Sequence, residues 1–174
     1  MASPEIIMFG NPALRETSSP VTVFHKKLHR KIDTIKKILF EHGGGAALAA
    51  PQIALLKRIT VINYMGEYFE CINPSILEQS GKATDYEGCL SLPGYTGRVE
   101  RAKTVTVSFQ DRNGNEHVIT RSDEMARCFQ HEIDHLNGIL YIDRMTDEFL
   151  INIDNNTKLP VNEILSLAPA RNMT

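Results

Sequence analysis

Between Thr22 and Glu41 (TVFHKKLHRKIDTIKKILFE) apolar side chains return every three or four residues. Phe24, Leu28, Ile32, Ile35 and Leu39 mark one stripe, with Lys and Arg between them. That spacing predicts an amphipathic helix. His42 and the triplet Gly43, Gly44, Gly45 predict its end, because glycine readily takes the backbone that closes a helix. Beyond Arg58 the pattern shifts to short runs rich in β-branched and aromatic residues, at 58–64 (RITVINY), 66–77 (GEYFECINPSIL) and 103–111 (KTVTVSFQD). These read as strands. Asn113-Gly114 inside 111–115 (DRNGN) signals a hairpin turn, with EHVIT on its far side. Helical spacing returns over 122–138 (SDEMARCFQHEIDHLNG), with Ser122 or Asp123 as N-cap and Gly138 as terminator. A last short helix is expected within 159–167, limited by Pro169. Helix, antiparallel strands, then helix predicts an α+β fold with a helix packed on sheet.

Composition narrows the function more than the fold. The chain has 174 residues, the size of one compact domain. No linker, repeat or low-complexity block divides it, so 1–174 is expected as a single domain with 155–174 as its tail. Nineteen Lys and Arg against 21 Asp and Glu give a net charge of −2, which argues against a broad nucleic-acid surface. The first residues lack the basic start and apolar stretch of a secretory signal, and no apolar run approaches the ~18 residues that suggest a membrane span. A cytoplasmic protein with no membrane partner is expected. Three cysteines, Cys71, Cys89 and Cys128, do not form a disulfide framework. In such a chain a cysteine in a special context is read as a ligand or nucleophile.

The strongest chemical signal is His131-Glu132-Ile133-Asp134-His135 in the second helix. Residues four apart share a helix face, so two imidazoles can meet one cation. Glu132 is offset by one residue, which sets a carboxylate beside the site without making it a ligand, the HExxH arrangement of metal-assisted hydrolysis. A catalytic metal with an open position needs a third protein ligand. Cys89, in Glu87-Gly88-Cys89-Leu90-Ser91, is the best candidate. Cys71 reads as a buried strand cysteine, and Cys128, three residues before His131, as pocket wall rather than ligand. His25 and His29 are also four apart, but their Lys- and Arg-rich surroundings read as a solvated face. The segment 45–52 (GAALAAPQ) has small side chains that permit close backbone approach, and Gln52 can donate an amide hydrogen bond. Without GxxxxGK[ST] it is no nucleotide loop. Alone, it would be a flexible loop feeding a strand.

Taken in order, GAALAAPQ (45–52), EGCLS (87–91) and QHEIDH (130–135) resemble the peptide deformylases. NPALR, ERAKTVTV and LNGILYIDRM also look like that family, so the resemblance spans roughly residues 5 to 145. It implies antiparallel β-sheets packed around a central metal-binding helix. It also implies an enzyme that removes the formyl group from the N-terminal formylmethionine of new polypeptides, releasing formate. Carried over residue by residue, Cys89, His131 and His135 become the ligands of one divalent ion. That ion is ferrous iron by the family's preference, with zinc, nickel or cobalt as substitutes. A thiolate ligand suits these over magnesium or calcium. Glu132 becomes the acid/base, and Gln52 with the backbone N–H of Leu90 the oxyanion donors. Gly45, Ala46, Ala47, Gly88 and Cys128 are expected to line the substrate site. Residues 124, 127, 128 and 131 share the helix face that would wall the methionine slot. Glu87, Arg101 and Asp134 read either as residues that orient the ligands or as ordinary surface ion pairs. Partners implied are formylmethionyl nascent peptides and, with them, the ribosome.

Two departures from the family pattern stand out: Ala47 replaces the second glycine of the first segment, and Thr96 stands where many members carry arginine. Neither touches the ligands, the acid/base or the oxyanion donors, so an active enzyme is expected. Competing readings are a HExxH endopeptidase, a silent binder of blocked N-termini, and a Cys-His thiol hydrolase with Cys89 as nucleophile.

Overall fold

A computed structural model describes residues 5–43 and 45–166. The first helix, α1 (Lys26–Glu41), starts four residues later than the apolar stripe suggests. His25 takes an extended backbone, and its Nδ1 accepts the Leu28 N–H, capping the helix. His29 turns its Nε2 to the carbonyl of Arg112 at 2.8 Å, so the two histidines serve separate local bonds. Gly43 follows with a left-handed φ of +63°.

Two antiparallel sheets follow. One has the order β1 (Ala47–Ala49), β2 (Ile59–Tyr64), β3 (Glu67–Ser80), β6 (Thr104–Gln110), β7 (Glu116–Ser122). The other has the order β4 (Ala83–Cys89), β5 (Leu92–Arg101), β8 (Phe149–Asn152), β9 (Lys158–Pro160). The turn between β6 and β7 is closed by Asp111, whose Oδ1 accepts the N–H groups of Asn113 and Asn115.

Around β2 the first sheet is covered on both faces, so the strand's first four residues, Ile59–Ile62, are all buried. Ile59, Val61 and Ile72 join Leu28, Ile32, Ile35 and Leu39 of α1 in one core. Ile62 and Cys71 point the other way, into a core with Met125, Phe129 and Ile133 of α2 (Asp123–Leu136). Period-2 alternation therefore separates two cores rather than core from solvent. β1 shares this division: Leu48 packs toward α1 and Ala47 toward α2. The segment 45–52 is thus no loose loop. Residues 47–49 form a buried strand and 50–53 a buried 3-10 turn, because small apolar side chains fit between two helices. Only the strand's neighbours reveal that fit.

On its other side α2 meets the second sheet, through polar rather than apolar contacts. A third core, with Leu14, Val99, Tyr141, Ile142 and Leu150, closes that end. Gly138 (φ +68°) lies two residues beyond the end of α2, where a Cβ would be 2.3 Å from the Arg15 carbonyl oxygen. The Ser122 hydroxyl pairs with Thr104 Oγ1 at 2.9 Å instead of capping the helix. The expected C-terminal helix is α3 (Val161–Ser166). Leu167 and Pro169 lie outside the described residues.

Candidate functional site

α2 runs between the sheets, so its side chains reach β2 on one flank and β4 and β5 on the other. His131 and His135 project from one face, with their Nε2 atoms 3.2 Å apart. Cys89, at the end of β4, brings Sγ to 3.4 Å from His135 Nε2. One donor atom from each of these residues lies within 4.8 Å of the others. A register shift between Gly88 and Cys89, just before the hairpin closes at Leu92, brings the sulfur to this end of the strand pair.

The rings are held differently. His131 Nδ1–H donates to Glu87 Oε2 at 2.9 Å, which leaves Nε2 facing the cluster. His131 also stacks on Tyr141, with centroids 6.2 Å apart. His135 is 1% exposed, and its Nδ1 has no hydrogen-bond partner among the described residues, so packing fixes that ring. Burial opposes ionisation of Cys89, yet the adjacent His135 and His131 outweigh it and hold the thiol well below its ordinary pKa. His131 shows the converse: burial disfavours its charge, but Cys89 and Glu87 raise its pKa well above the usual imidazole range. The cluster thus favours a thiolate. Burial, reinforced by nearby carboxylates such as Glu132, pushes the thiols of Cys71 and Cys128 far upward.

Glu87 is buried and shared. Arg101 forks onto both its oxygens at 2.8 and 2.9 Å, and Arg127 donates to Oε1 at 2.8 Å. Despite the cost of burial, Arg101 and His131 hold its carboxyl well below the usual range. Arg101 also bonds Asp134, which in turn accepts two bonds from Arg144. Glu87, Arg101 and Asp134 therefore form an interior chain of charges joining β4, β5 and α2, not a surface ion pair.

Gln52 is 2% exposed. Its Oε1 accepts the Ala49 N–H at 2.9 Å, which fixes the amide so that Nε2 points to Ser91 Oγ (3.2 Å) and Cys89 Sγ (3.5 Å). Glu132, 4% exposed, receives a bond from Thr60 Oγ1 at 3.1 Å, and burial raises its pKa. Beside the cluster lies a cleft of about 470 Å³. Gly45, Ala46, Ala47, Gly88, Leu90 and Cys128 line it, as do Gln52, Cys89, His131 and Glu132. Glu124 and Arg127 join Cys128 and His131 on the α2 wall. A Cβ at Gly45 would meet the end of the Leu90 side chain at 2.7 Å, so any larger residue there would displace Leu90 at the cleft wall. Ala47 and Thr96 both face the cleft.

The expected residues are thus gathered around one cleft, with His135, Arg101 and Asp134 behind its lining. Thr60, Tyr141 and Arg144 escaped sequence reasoning, and Arg127 was placed on the face of the methionine slot without its bond to Glu87. Arg127 left a signal, because it lies one helical turn before His131 on the same face. Thr60 left none within a run that reads as ordinary strand.

Comparison with known proteins supplies the context for this arrangement. The family model described as Polypeptide deformylase matches residues 3–149. A peptide deformylase of Heliobacterium modesticaldum is 46% identical over 148 residues, covering 85% of this chain and 97% of that protein. Among solved structures, a Plasmodium falciparum peptide deformylase in complex with inhibitor gives a TM-score of 0.77 at 44% identity, over 82% of this chain and 90% of the other. A Synechococcus elongatus peptide deformylase in complex with actinonin gives 0.82 at 32% identity, over 95% and 87%.

Proposed function

The chain belongs to the peptide deformylase family, and on that premise we propose how its own side chains divide the reaction. It is a metal-dependent hydrolase that removes the formyl group from the N-terminal formylmethionine of newly made polypeptides, releasing formate. Cys89, His131 and His135 hold the divalent ion. Their fit rests on chemistry and position: one sulfur disposed to be thiolate and two imidazole nitrogens, converging from a strand end and one helix face. Ferrous iron is our assignment for the native ion, with zinc, nickel or cobalt able to replace it. Once bound, such an ion supplies Lewis acidity, readying a water for attack near neutral pH and polarising the formyl oxygen.

The remaining work falls to the protein. Glu132 accepts the proton of the attacking water and returns it to the leaving amine nitrogen. Its burial raises its proton affinity, the direction that exchange requires. Gln52 Nε2 and the Leu90 N–H donate to the oxygen on which charge develops. The bond from Ala49 to Gln52 Oε1 orients that amide before substrate arrives. The first side chain enters the slot walled by Gly45, Ala46, Ala47, Gly88 and Cys128. β1 is an edge strand, so an extended peptide can add alongside it through main-chain bonds. Glu87, Arg101 and Asp134 hold His131 and α2 in register. Because its substrates are newly made chains, we place the enzyme in the cytoplasm, meeting them as they leave the ribosome.

The observation that carries this reading is the convergence of Cys89, His131 and His135 beside Gln52 and Glu132. Formate release from formyl-Met-Ala-Ser, with acetyl-Met-Ala-Ser and Met-Ala-Ser left intact, is the expected result. Cleavage of an internal peptide bond in place of the formyl amide would sink it.

A further inference from the structure

Thr60 is the second residue of β2, fully buried, on the face that looks at α2. Its neighbours there are apolar: Ile62 on the same strand and Cys71 opposite it on β3. Valine has nearly the same shape and loses nothing in such a place, whereas a buried hydroxyl costs stability unless it is bonded. The Thr60 hydroxyl reaches two acceptors. Glu132 Oε2 is at 3.1 Å and the Leu48 carbonyl oxygen at 3.3 Å. It has one hydrogen to give, and the charged carboxylate is the stronger acceptor. Branching at Cβ limits the side chain to few rotamers, so the oxygen's direction is fixed by the strand itself.

Glu132 has two oxygens with different surroundings. Oε2 receives the Thr60 bond, and no hydrogen bond from the described residues reaches Oε1. Glu132 also lines the cleft beside Cys89 and His131. We propose that Thr60 is the positioning residue of the acid/base: its hydroxyl anchors Oε2 of Glu132, leaving Oε1 to take up and return the proton in the cleft. The inference rests on the acid/base role given to Glu132 above.

Thr60→Val and Thr60→Ser separate this role from packing. Valine keeps the volume and removes the hydroxyl; serine keeps the hydroxyl and removes a methyl. With formyl-Met-Ala-Ser and rates expressed per bound metal, Thr60→Val should lower kcat about 10- to 100-fold, as expected for a lost hydrogen bond to a charged group. KM should stay within about twofold, because the hydroxyl does not touch substrate. Thr60→Ser should keep kcat within about threefold of wild type, even where its melting temperature falls. Should the valine variant fail to fold, Thr60→Cys replaces it, with similar volume, only a weak donor and the same expectation. Equal kcat in the valine and wild-type enzymes overturns the proposal, as does a serine variant as slow as valine. A wild-type enzyme that releases no formate would instead overturn the functional reading beneath it.

Discussion

Arg101→Met removes the guanidinium that joins Glu87 to Asp134, and its cost can be worked from the contacts left behind. Arg101 is 5% exposed and binds both carboxylates in the interior. Removing one member of a buried charge pair commonly costs about 3–5 kcal/mol, because the partner stays buried and uncompensated. Neither partner is fully abandoned here. Glu87 keeps Arg127 at 2.8 Å, and Asp134 keeps two bonds from Arg144 at 2.5 and 2.7 Å. The lower end, about 3 kcal/mol, is therefore expected. For a domain of this length each kcal/mol lowers Tm by about 2–4 °C, which gives a fall of roughly 6–12 °C. The second effect is on the metal. Glu87 orients His131 through Nδ1, and loosening such an outer partner typically weakens metal affinity by about 10- to 100-fold. Calorimetry of the metal-free proteins reads the first effect, and titration against a competing chelator reads the second. A Tm within about 2 °C of wild type, together with unchanged metal affinity, would refute the reasoning.

Gln52→Leu should reduce kcat by about 100- to 1,000-fold through loss of an oxyanion donor. It should also cost about 1–3 kcal/mol in stability, since the buried Ala49 N–H loses its acceptor; steady-state kinetics and urea unfolding read the two. Glu132→Gln should bind metal as wild type does yet lose about two to four orders of magnitude in kcat. Asp111 is held down to a pKa of about 2, chiefly by the Asn115 side-chain amide and then by the Asn115 and Asn113 N–H groups. Its folded value lies below the unfolded one, so its contribution is full above about pH 4 and fades as pH falls toward 2. Urea unfolding of Asp111→Ala should show a stability deficit at pH 7 that shrinks by pH 2.5, whereas a constant deficit would contradict the assignment.

How much of this was legible in the residues depended on whether the signal was local. Leu28, Ile32, Ile35 and Leu39 announced α1 because one helix face repeats in sequence. His131, Glu132 and His135 announced half of the site for the same reason. Cys89 entered by the need for a third ligand and through family resemblance, since a cysteine 42 residues before His131 (131 − 89) carries no spacing rule. The long β4–β5 hairpin was not anticipated. Its strands, ATDYEGC and LPGYTGRVER, are polar and glycine-containing, and they are stabilised by register with each other and by Arg101 and Arg127. Segment 45–52 looked loose because alanine carries little periodic signal, yet helices on both sides bury it. The start of α1 shifted because His25 caps through its own Nδ1, a side-chain contact that overrides the apolar Phe24 before it. Thr60 shows the limit most plainly: its partner is 72 residues away, and only packing makes a strand threonine chemically distinct.

The central claim is that one ion on Cys89, His131 and His135 is required for formate release. Stepwise anaerobic addition of ferrous iron to metal-free protein, with formate release read at each step, tests it most directly. Activity should rise linearly and level off at one equivalent per chain, and Glu132→Gln should take up the same equivalent without the activity. Full activity in the metal-free protein, unmoved by chelator, would contradict the account and leave Cys89 as a nucleophile instead.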